Sequence, residues 1–240
     1  MKDSKFRNRV LAEIRSWAVV IFVVILLRTF VVAAYHIPSS SMEDTLLVGD
    51  FLLAFKPVYG IHIPFTDKVI LRMKKPHRGE IVIFSSPLEE RRDLVKRCIA
   101  LPGDTVQIIN KVVYINGKPL DEPYAVHKDP RIFPPKFKVE TEAEIKQFEQ
   151  LWLSGEFRKS EIRDFVRDNF GPVVVPDGTV FVMGDNRDFS FDSRFFGPLE
   201  LKKLKAMPLI IYFSWNPWRP LWPIWKKIRW HRIFKIIATA

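Results

Sequence analysis

Residues 93–102 read DLVKRCIALP, a short apolar run that is rich in β-branched residues and ends at a proline. This pattern is typical of a β-strand. Alternation along the strand places Leu94, Lys96, Cys98 and Ala100 on one face. Lys96 is the only charged group in that row, so we expect its ammonium form to be disfavoured by burial. The alternative is a lysine whose amine extends to the strand edge.

Similar apolar runs recur on both sides of this strand, and turn residues separate them. Asn110-Lys111 divides two four-residue runs as a hairpin turn would, and Pro176-Asp177-Gly178 has the chemistry of a turn. Many short strands at this spacing predict a mainly β fold of the barrel or sandwich kind. The predicted strands are residues 50–55, 80–84, 94–100, 106–109, 112–115, 173–175, 179–183 and 209–215.

The composition narrows the function classes. The chain has 240 residues, of which 48% are hydrophobic and 27% charged, as in ordinary folded proteins. Its single cysteine, Cys98, excludes an intrachain disulfide and a multi-thiolate metal site. The sequence contains neither a glycine-rich phosphate loop nor a zinc-binding histidine pair, which disfavours nucleotide and metal enzymes. The net charge of +11 predicts an anionic partner.

Residues 17–35 form a long apolar stretch that only Arg28 interrupts. Its length is sufficient to cross a hydrocarbon core of about 30 Å, so we expect a transmembrane anchor. The alternative is a cleaved signal peptide, because residues 32–34 resemble a processing site. An excess of basic residues before the stretch predicts a cytoplasmic N-terminus and an exported remainder. Those basic residues are Lys2, Lys5, Arg7, Arg9 and Arg15.

Residues 128–171 differ from the rest because helical signals dominate there. Residues 141–144 form a capping box, and Phe148 and Trp152 follow on one helical face. Ser160 is placed to cap a second short helix. We expect an inserted helical subdomain, and the interpretation that the sequence favours for it is a solvated surface excursion. The predicted division is 1–16 for the N-terminus, 17–35 for the anchor, 36–127 and 172–240 for an all-β domain, and 128–171 for the insertion.

The C-terminal segment is strongly basic. No acidic residue follows Glu200, whereas nine Lys and Arg side chains do. Interleaved aromatic and cationic residues can stack on nucleic acid, but an exported chain beside a bilayer meets lipid first. We therefore expect contact with an anionic lipid surface rather than with nucleic acid. Core packing is the alternative for the tryptophans, which are Trp215, Trp218, Trp222, Trp225 and Trp230.

Three polar islands carry candidate chemistry. Residues 37–42 (IPSSSM) lie directly before a predicted strand, Lys96 lies within another, and residues 184–197 (GDNRDFSFDSRFFG) follow a third. A neutral lysine amine can take a proton from a serine hydroxyl, which is the work of histidine in a catalytic triad. Taken singly, the first and third islands are equally compatible with a linker and a polar turn.

Together the islands resemble the signature boxes of the bacterial type I signal peptidase (leader peptidase) family of Ser/Lys endopeptidases. The boxes occur in the family's order, behind an apolar anchor, and extend over most of residues 36–200. The matching stretches are residues 37–42, 49–50, 78–84, 95–97, 101–104, 184–188 and 192–194.

The resemblance implies roles for Ser39, Ser41 and Lys96 in the first two islands. Ser41 would be the nucleophile and Lys96 its general base. The hydroxyl of Ser39 and the backbone N–H of Ser41 would form the oxyanion hole. The implied fold is an all-β catalytic domain behind a single N-terminal transmembrane helix.

The third island would support the lysine. The resemblance implies that Ser190 hydrogen-bonds Lys96 and that Asp192 and Arg194 brace the loop as an ion pair. Two residues depart from the family pattern: Asp44 stands where proline is usual, and Phe189 replaces a commonly polar residue.

The family's activity is the removal of N-terminal signal peptides from exported preproteins through an acyl-enzyme, with small residues at substrate positions −1 and −3. No cofactor is implied. The implied location is the bacterial inner membrane, with a single span, a cytoplasmic N-terminus and a catalytic domain on the periplasmic face. Two alternatives remain, namely a non-catalytic binding protein with this fold and a self-cleaving Ser/Lys regulator.

Overall fold

The computed structural model describes residues 2–62, 69–70, 74–88, 92–220 and 222–237. Strands dominate these residues after position 30, so the mainly β fold is confirmed. The helices are α1 Lys2–Phe30, α2 Glu142–Ser154, α3 Ser160–Arg167, α4 Ser193–Phe196 and α5 Ile224–Lys227. The strands are β1 Val32–His36, β2 Asp50–Phe55, β3 Ile61–His62, β4 Val69–Ile70, β5 Ile81–Ser85, β6 Asp93–Ala100, β7 Thr105–Ile109, β8 Val112–Ile115, β9 Lys118–Pro119, β10 Phe170–Val174, β11 Thr179–Met183, β12 Leu199–Glu200 and β13 Leu204–Ser214.

The N-terminal helix ends earlier than the apolar stretch does. Helix α1 stops at Phe30, and residues 32–36 pair with β2 instead of continuing the predicted segment 17–35. The Lys56 ammonium donates to the carbonyls of Arg28 and Thr29, at 2.9 Å each. The last carbonyls of a helix have no N–H partner within the helix, so these hydrogen bonds from Lys56 stabilise the end of α1 at this position. No helix among the described residues is both long and apolar enough to span a bilayer.

The larger sheet has seven strands in the order β1-β2-β13-β5-β6-β11-β12. All its pairings are antiparallel, and β6 lies between β5 and β11. All predicted strands overlap observed ones, although β13 begins at Leu204 rather than at residue 209. Residues 96–100 of β6 are all buried, because both faces of this central strand are covered. The sheet therefore holds Lys96 inside the molecule.

The second sheet has the order β10-β7-β8-β9. Its central hairpin turns at Asn110 and Lys111, whose φ angles of 48° and 73° fit a two-residue hairpin turn. The turn at residues 176–178 has a different function, because it carries the chain from β10 in this sheet to β11 in the larger one.

The helical region packs into the protein core and is not a solvated surface excursion. Phe148 and Trp152 of α2 are buried in one apolar cluster with Phe170 and Phe181 of the two sheets. The predicted capping box of α2 is confirmed, since Thr141 accepts from the Glu144 N–H. Helix α3, by contrast, begins with Ser160 as its first helical residue, so Ser160 is not the cap.

The C-terminal tryptophans lie at the surface. Trp222 is 78% exposed and Trp218 73%, and Trp225 and Trp230 are also exposed. Core packing therefore does not explain these four side chains. Residues 228–237 return along β13, where antiparallel bridges join Ile236 to Ile210 and Ile228 to Trp215.

Candidate active site

Ser41 lies in a loop that the next apolar residues fix in place. Met42 is 1% exposed and packs with Leu46, Ile37 and Ile211 in one buried cluster. A backbone hydrogen bond of 2.7 Å from Leu46 N to Met42 O closes the turn. Burial of Met42 therefore determines where the preceding serine is presented.

Residues 184–194 hold the same loop from its other side. The backbone N–H of Asn186 donates to Ser41 O at 3.2 Å, and its side-chain amide donates to Ser40 O at 3.1 Å. Asp185 accepts from the Thr45 hydroxyl at 2.5 Å. Side chain and backbone together thus tie the third polar island to the first.

Gly184 is packed tightly between the two islands. A Cβ atom at this position would lie 2.4 Å from Ser41 O and 2.3 Å from Ser190 Oγ, which is closer than atoms can approach. Glycine is therefore required for the close approach of the loops. Its N–H also donates to Ser190 Oγ at 3.1 Å and to an Asp192 oxygen at 3.2 Å.

Asp44 occupies a left-handed conformation with φ 74°. Proline, which the family pattern has here, is restricted to φ near −65° and could not adopt this backbone. Aspartate tolerates the left-handed region better than most residues. The backbone at this position therefore accounts for the absence of proline in this chain.

Lys96 is buried, with 3% of its surface exposed. Desolvation lowers the pKa of its ammonium group from 10.5 to about 8, with Arg194 acting in the same direction and Asp192 and Asp185 opposing it. A substantial fraction of the amine is consequently neutral at mildly alkaline pH. The position of Lys96 in the strand thus buries its amine, and burial lowers the pKa as a lysine base requires.

The supporting residues form a compact buried group next to Lys96. Arg194 and Asp192 make two hydrogen bonds of 2.9 Å, from Nε to Oδ1 and from Nη2 to Oδ2. The Arg194 guanidinium keeps the pKa of the Asp192 carboxyl low, although desolvation alone would raise it. Ser190 is also buried. The direct hydrogen bonds of Lys96 to Ser190 and to Ser41 stay predictions.

Ser39, Ser41 and Lys96 line one cleft of about 470 Å³. Its apolar wall includes Tyr35 and Ile37, together with Leu94 and Val95 from the strand of the lysine. A peptide in extended conformation fits such a cleft, because its side chains alternate between wall and solvent. Nothing in the sequence pattern marks these apolar residues as part of a site.

Sequence reasoning also missed the charged pairs behind the cleft. Arg97 binds Asp185 in bidentate fashion at 2.6 and 2.8 Å, and both side chains are buried. Arg232 binds Asp50 at 2.6 Å and also donates to the carbonyl of Thr45. The signature stretches include Arg97, Asp185 and Asp50, but nothing in them indicates the partner.

A serine hydroxyl and a buried amine of lowered pKa in one peptide-sized cleft define a class of site, that of hydrolases with a serine nucleophile and a lysine base. The family model described as "Signal peptidase, peptidase S26" matches residues 10–213. The chain belongs to this family.

Curated relatives agree with the family match. Signal peptidase I of Pseudomonas fluorescens is 35% identical over 190 residues, which cover 79% of this chain and 64% of that protein. Signal peptidase I of Pseudomonas aeruginosa is 34% identical over 191 residues, with the same shares. Signal peptidase I of Aquifex aeolicus is 32% identical over 219 residues, covering 81% of each chain. The chain thus spans somewhat less than two thirds of the two pseudomonad relatives.

Proposed function

We propose that the protein is a serine endopeptidase that removes N-terminal signal peptides from exported preproteins. The observation that carries this proposal is the cleft itself, in which Ser41 lies with a buried Lys96 whose pKa is about 8. Family membership and the names of the relatives supply the substrate class. Residues 36–127 and 172–240 would form the catalytic domain, with residues 128–171 as its insertion.

The reaction begins when the neutral amine of Lys96 takes the proton of the Ser41 hydroxyl. Ser41 Oγ then attacks the scissile carbonyl carbon, and the resulting oxyanion accepts hydrogen bonds from the Ser39 hydroxyl and the Ser41 N–H. The Lys96 ammonium returns its proton to the leaving amine as the peptide bond breaks. A water molecule, deprotonated by the same amine, attacks the acyl-enzyme, and the Lys96 ammonium then returns this proton to Ser41 Oγ as the ester bond breaks and the signal peptide is released.

The supporting group would keep Lys96 in place through this cycle. Ser190 would accept or donate a hydrogen bond at the amine, and its position is fixed by the Gly184 N–H. The Asp192–Arg194 ion pair would brace the loop, and its two charges act in opposite directions on the pKa of Lys96.

We also propose that the apolar stretch of residues 17–35 anchors the protein in the bacterial inner membrane as a single span, with the N-terminus cytoplasmic and the catalytic domain on the periplasmic face. Apolar side chains from Trp17 to Leu27 are 40–66% exposed, which is costly in water and favourable in lipid. The basic excess before residue 16 favours this orientation. The exposed C-terminal tryptophans and cations would contact anionic headgroups.

The activity is tested by incubating the full-length protein in detergent with a preprotein and comparing wild type with Ser41→Ala. Cleavage at the signal-peptide junction by wild type alone supports the proposal. No cleavage by either form would favour the non-catalytic binding protein, and equal cleavage by both forms would mean that Ser41 is not the nucleophile.

The lipid surface is tested with the full chain in vesicles whose acyl chains carry bromine, a quencher of tryptophan fluorescence. Replacing Trp222 and Trp225 by Phe should remove part of the quenching in anionic vesicles. The same variant in neutral vesicles should differ less from wild type, because the cations then add little. Identical quenching of both forms in anionic vesicles would contradict the contact.

A further inference from the structure

The cleft has a cation that the proposed reaction does not use. Arg163 lies on α3 and lines the same cleft as Ser41 and Lys96. The side chain is exposed rather than buried, so a bound peptide can reach its guanidinium. Helix α3 thus contributes a polar group to a cleft whose other lining comes largely from strands and loops.

The guanidinium of Arg163 is held on an aromatic platform. Its central carbon lies 5.0 Å from the ring centroid of Phe191, and one Nη atom donates to the Arg158 carbonyl at 3.3 Å. Phe191 in turn stacks on Phe195, at 5.4 Å and an interplanar angle of 13°. Phe191 is also the neighbour of Ser190, so the platform belongs to the loop that supports Lys96. These two contacts orient the guanidinium toward the loop that supports Lys96.

Arg163 also lacks a carboxylate partner among the described residues, in which no ion pair within 4 Å includes it. The carboxylate that lines the cleft, Asp93, is already paired with Lys205 at 2.6 Å. The wall at Arg163 is consequently positive, and a bound acidic side chain would provide the missing counter-charge.

We propose that Arg163 is a specificity-determining residue that favours substrates with an acidic side chain close to the scissile bond. The inference rests on the proposed function. The acid would pair with the guanidinium on the Phe191 platform while the backbone of the peptide lies along the cleft. Because the pair would be partly exposed to solvent, its contribution is modest and depends on salt.

The test uses a set of cleavable peptides that differ at one position, with Asp in one member and Asn in the other. The substituted position is moved through the residues on both sides of the scissile bond. For wild type at low salt, we expect the Asp peptide to exceed its Asn partner in kcat/KM by about two- to five-fold at one or two positions, the range of an exposed ion pair. The preference should shrink as salt rises.

Two variants and one control test whether Arg163 causes the Asp preference. Arg163→Gln should remove the Asp preference, and Arg163→Glu should make a Lys peptide better than the Asp peptide at the same position. Lys159→Gln is the matched control, since Lys159 is an exposed cation next to α3 that pairs with Glu156 and does not line the cleft. It should leave the preference unchanged.

An Asp preference that is the same in wild type, Arg163→Gln and Arg163→Glu would overturn the assignment, as would the lack of any preference in wild type. These outcomes differ from failure of the proposed function, in which wild type cleaves neither the peptides nor a preprotein.

Discussion

The two walls of the cleft are built in opposite ways. The lysine wall, made of β6 and residues 184–194, is buried and contains ion pairs such as Asp192–Arg194. The serine wall, residues 37–49, is a loop at the surface in which Ser39 is exposed. In the lysine wall, burial lowers the pKa of the amine. In the serine wall, hydrogen bonds from distant segments determine where the serines lie. The lysine wall should therefore respond to changes of charge, and the serine wall to changes of shape.

The largest effect is expected from Lys96→Arg. A guanidinium stays protonated at every accessible pH and cannot act as a base, although it preserves the positive charge. We expect kcat to fall by about 10⁶-fold, as when the catalytic base is lost in other serine hydrolases. The measurement is cleavage of a preprotein under single-turnover conditions. A turnover near that of wild type would refute the role of Lys96.

The same wall predicts a pH dependence. The pKa of Lys96 is lowered to about 8, and only the neutral amine, which predominates above that pH, is a base. Activity should thus be low at pH 6, rise through about pH 8 and level off above it. The quantity to measure is kcat/KM, because its pH dependence reports the pKa of Lys96 in the free enzyme. A rise centred near 10.5 would mean that the amine is solvated.

The serine wall is probed by Ser39→Ala, with Ser40→Ala as its control. Loss of one oxyanion-hole donor should lower kcat by about 10²–10³-fold with little change in KM. Ser40 is not among the cleft residues, and the contact it makes with Asn186 uses its backbone carbonyl, so its hydroxyl is dispensable. Equal losses of kcat in the two variants would contradict the assignment of Ser39 as the oxyanion-hole donor.

The contrast between the walls also explains what the sequence could predict. The strand of Lys96, the hairpin turn at Asn110 and the cap of α2 follow from local patterns, and the structure contains all three. The charged pairs do not, because Arg97 and Asp185 are 88 residues apart and Asp50 and Arg232 are 182 apart.

The end of α1 shows the same limit. The apolar stretch continues to residue 35, and nothing within it signals a stop. Pairing of residues 32–36 with β2 and the hydrogen bonds from Lys56 decide the boundary. Both contacts depend on the folded sheet, so the length of the apolar run alone placed the end of the helix too late.

Gly184→Ala should perturb both walls at once. The added methyl would collide with Ser41 O and Ser190 Oγ, so the loops must separate. A displacement of about 1 Å at reacting groups costs up to about 100-fold in rate, and we expect a ten- to hundred-fold loss of kcat.

Gly178→Ala is the control for this substitution. Gly178 has φ 74° but open space around it, so its variant should lose some stability and keep its kcat. Thermal unfolding measured beside kcat separates the two effects. If both variants lost stability and kept kcat, the contact of Gly184 would be structural only.

The smallest effect on kcat is expected from replacing Asp44, a residue of the serine wall that is left-handed although it is not glycine. The side chain is exposed, so its replacement should leave kcat within about two-fold, while the backbone determines the stability. Glycine adopts φ 74° without a steric penalty, whereas alanine pays about 1 kcal/mol or more for this conformation. Asp44→Ala should thus unfold at a lower temperature than wild type, and Asp44→Gly should remain close to it, because the relief of strain is offset by the greater freedom of the unfolded chain. If Asp44→Ala instead proved at least as stable as Asp44→Gly, residue 44 would not be left-handed, and proline would be compatible with this loop.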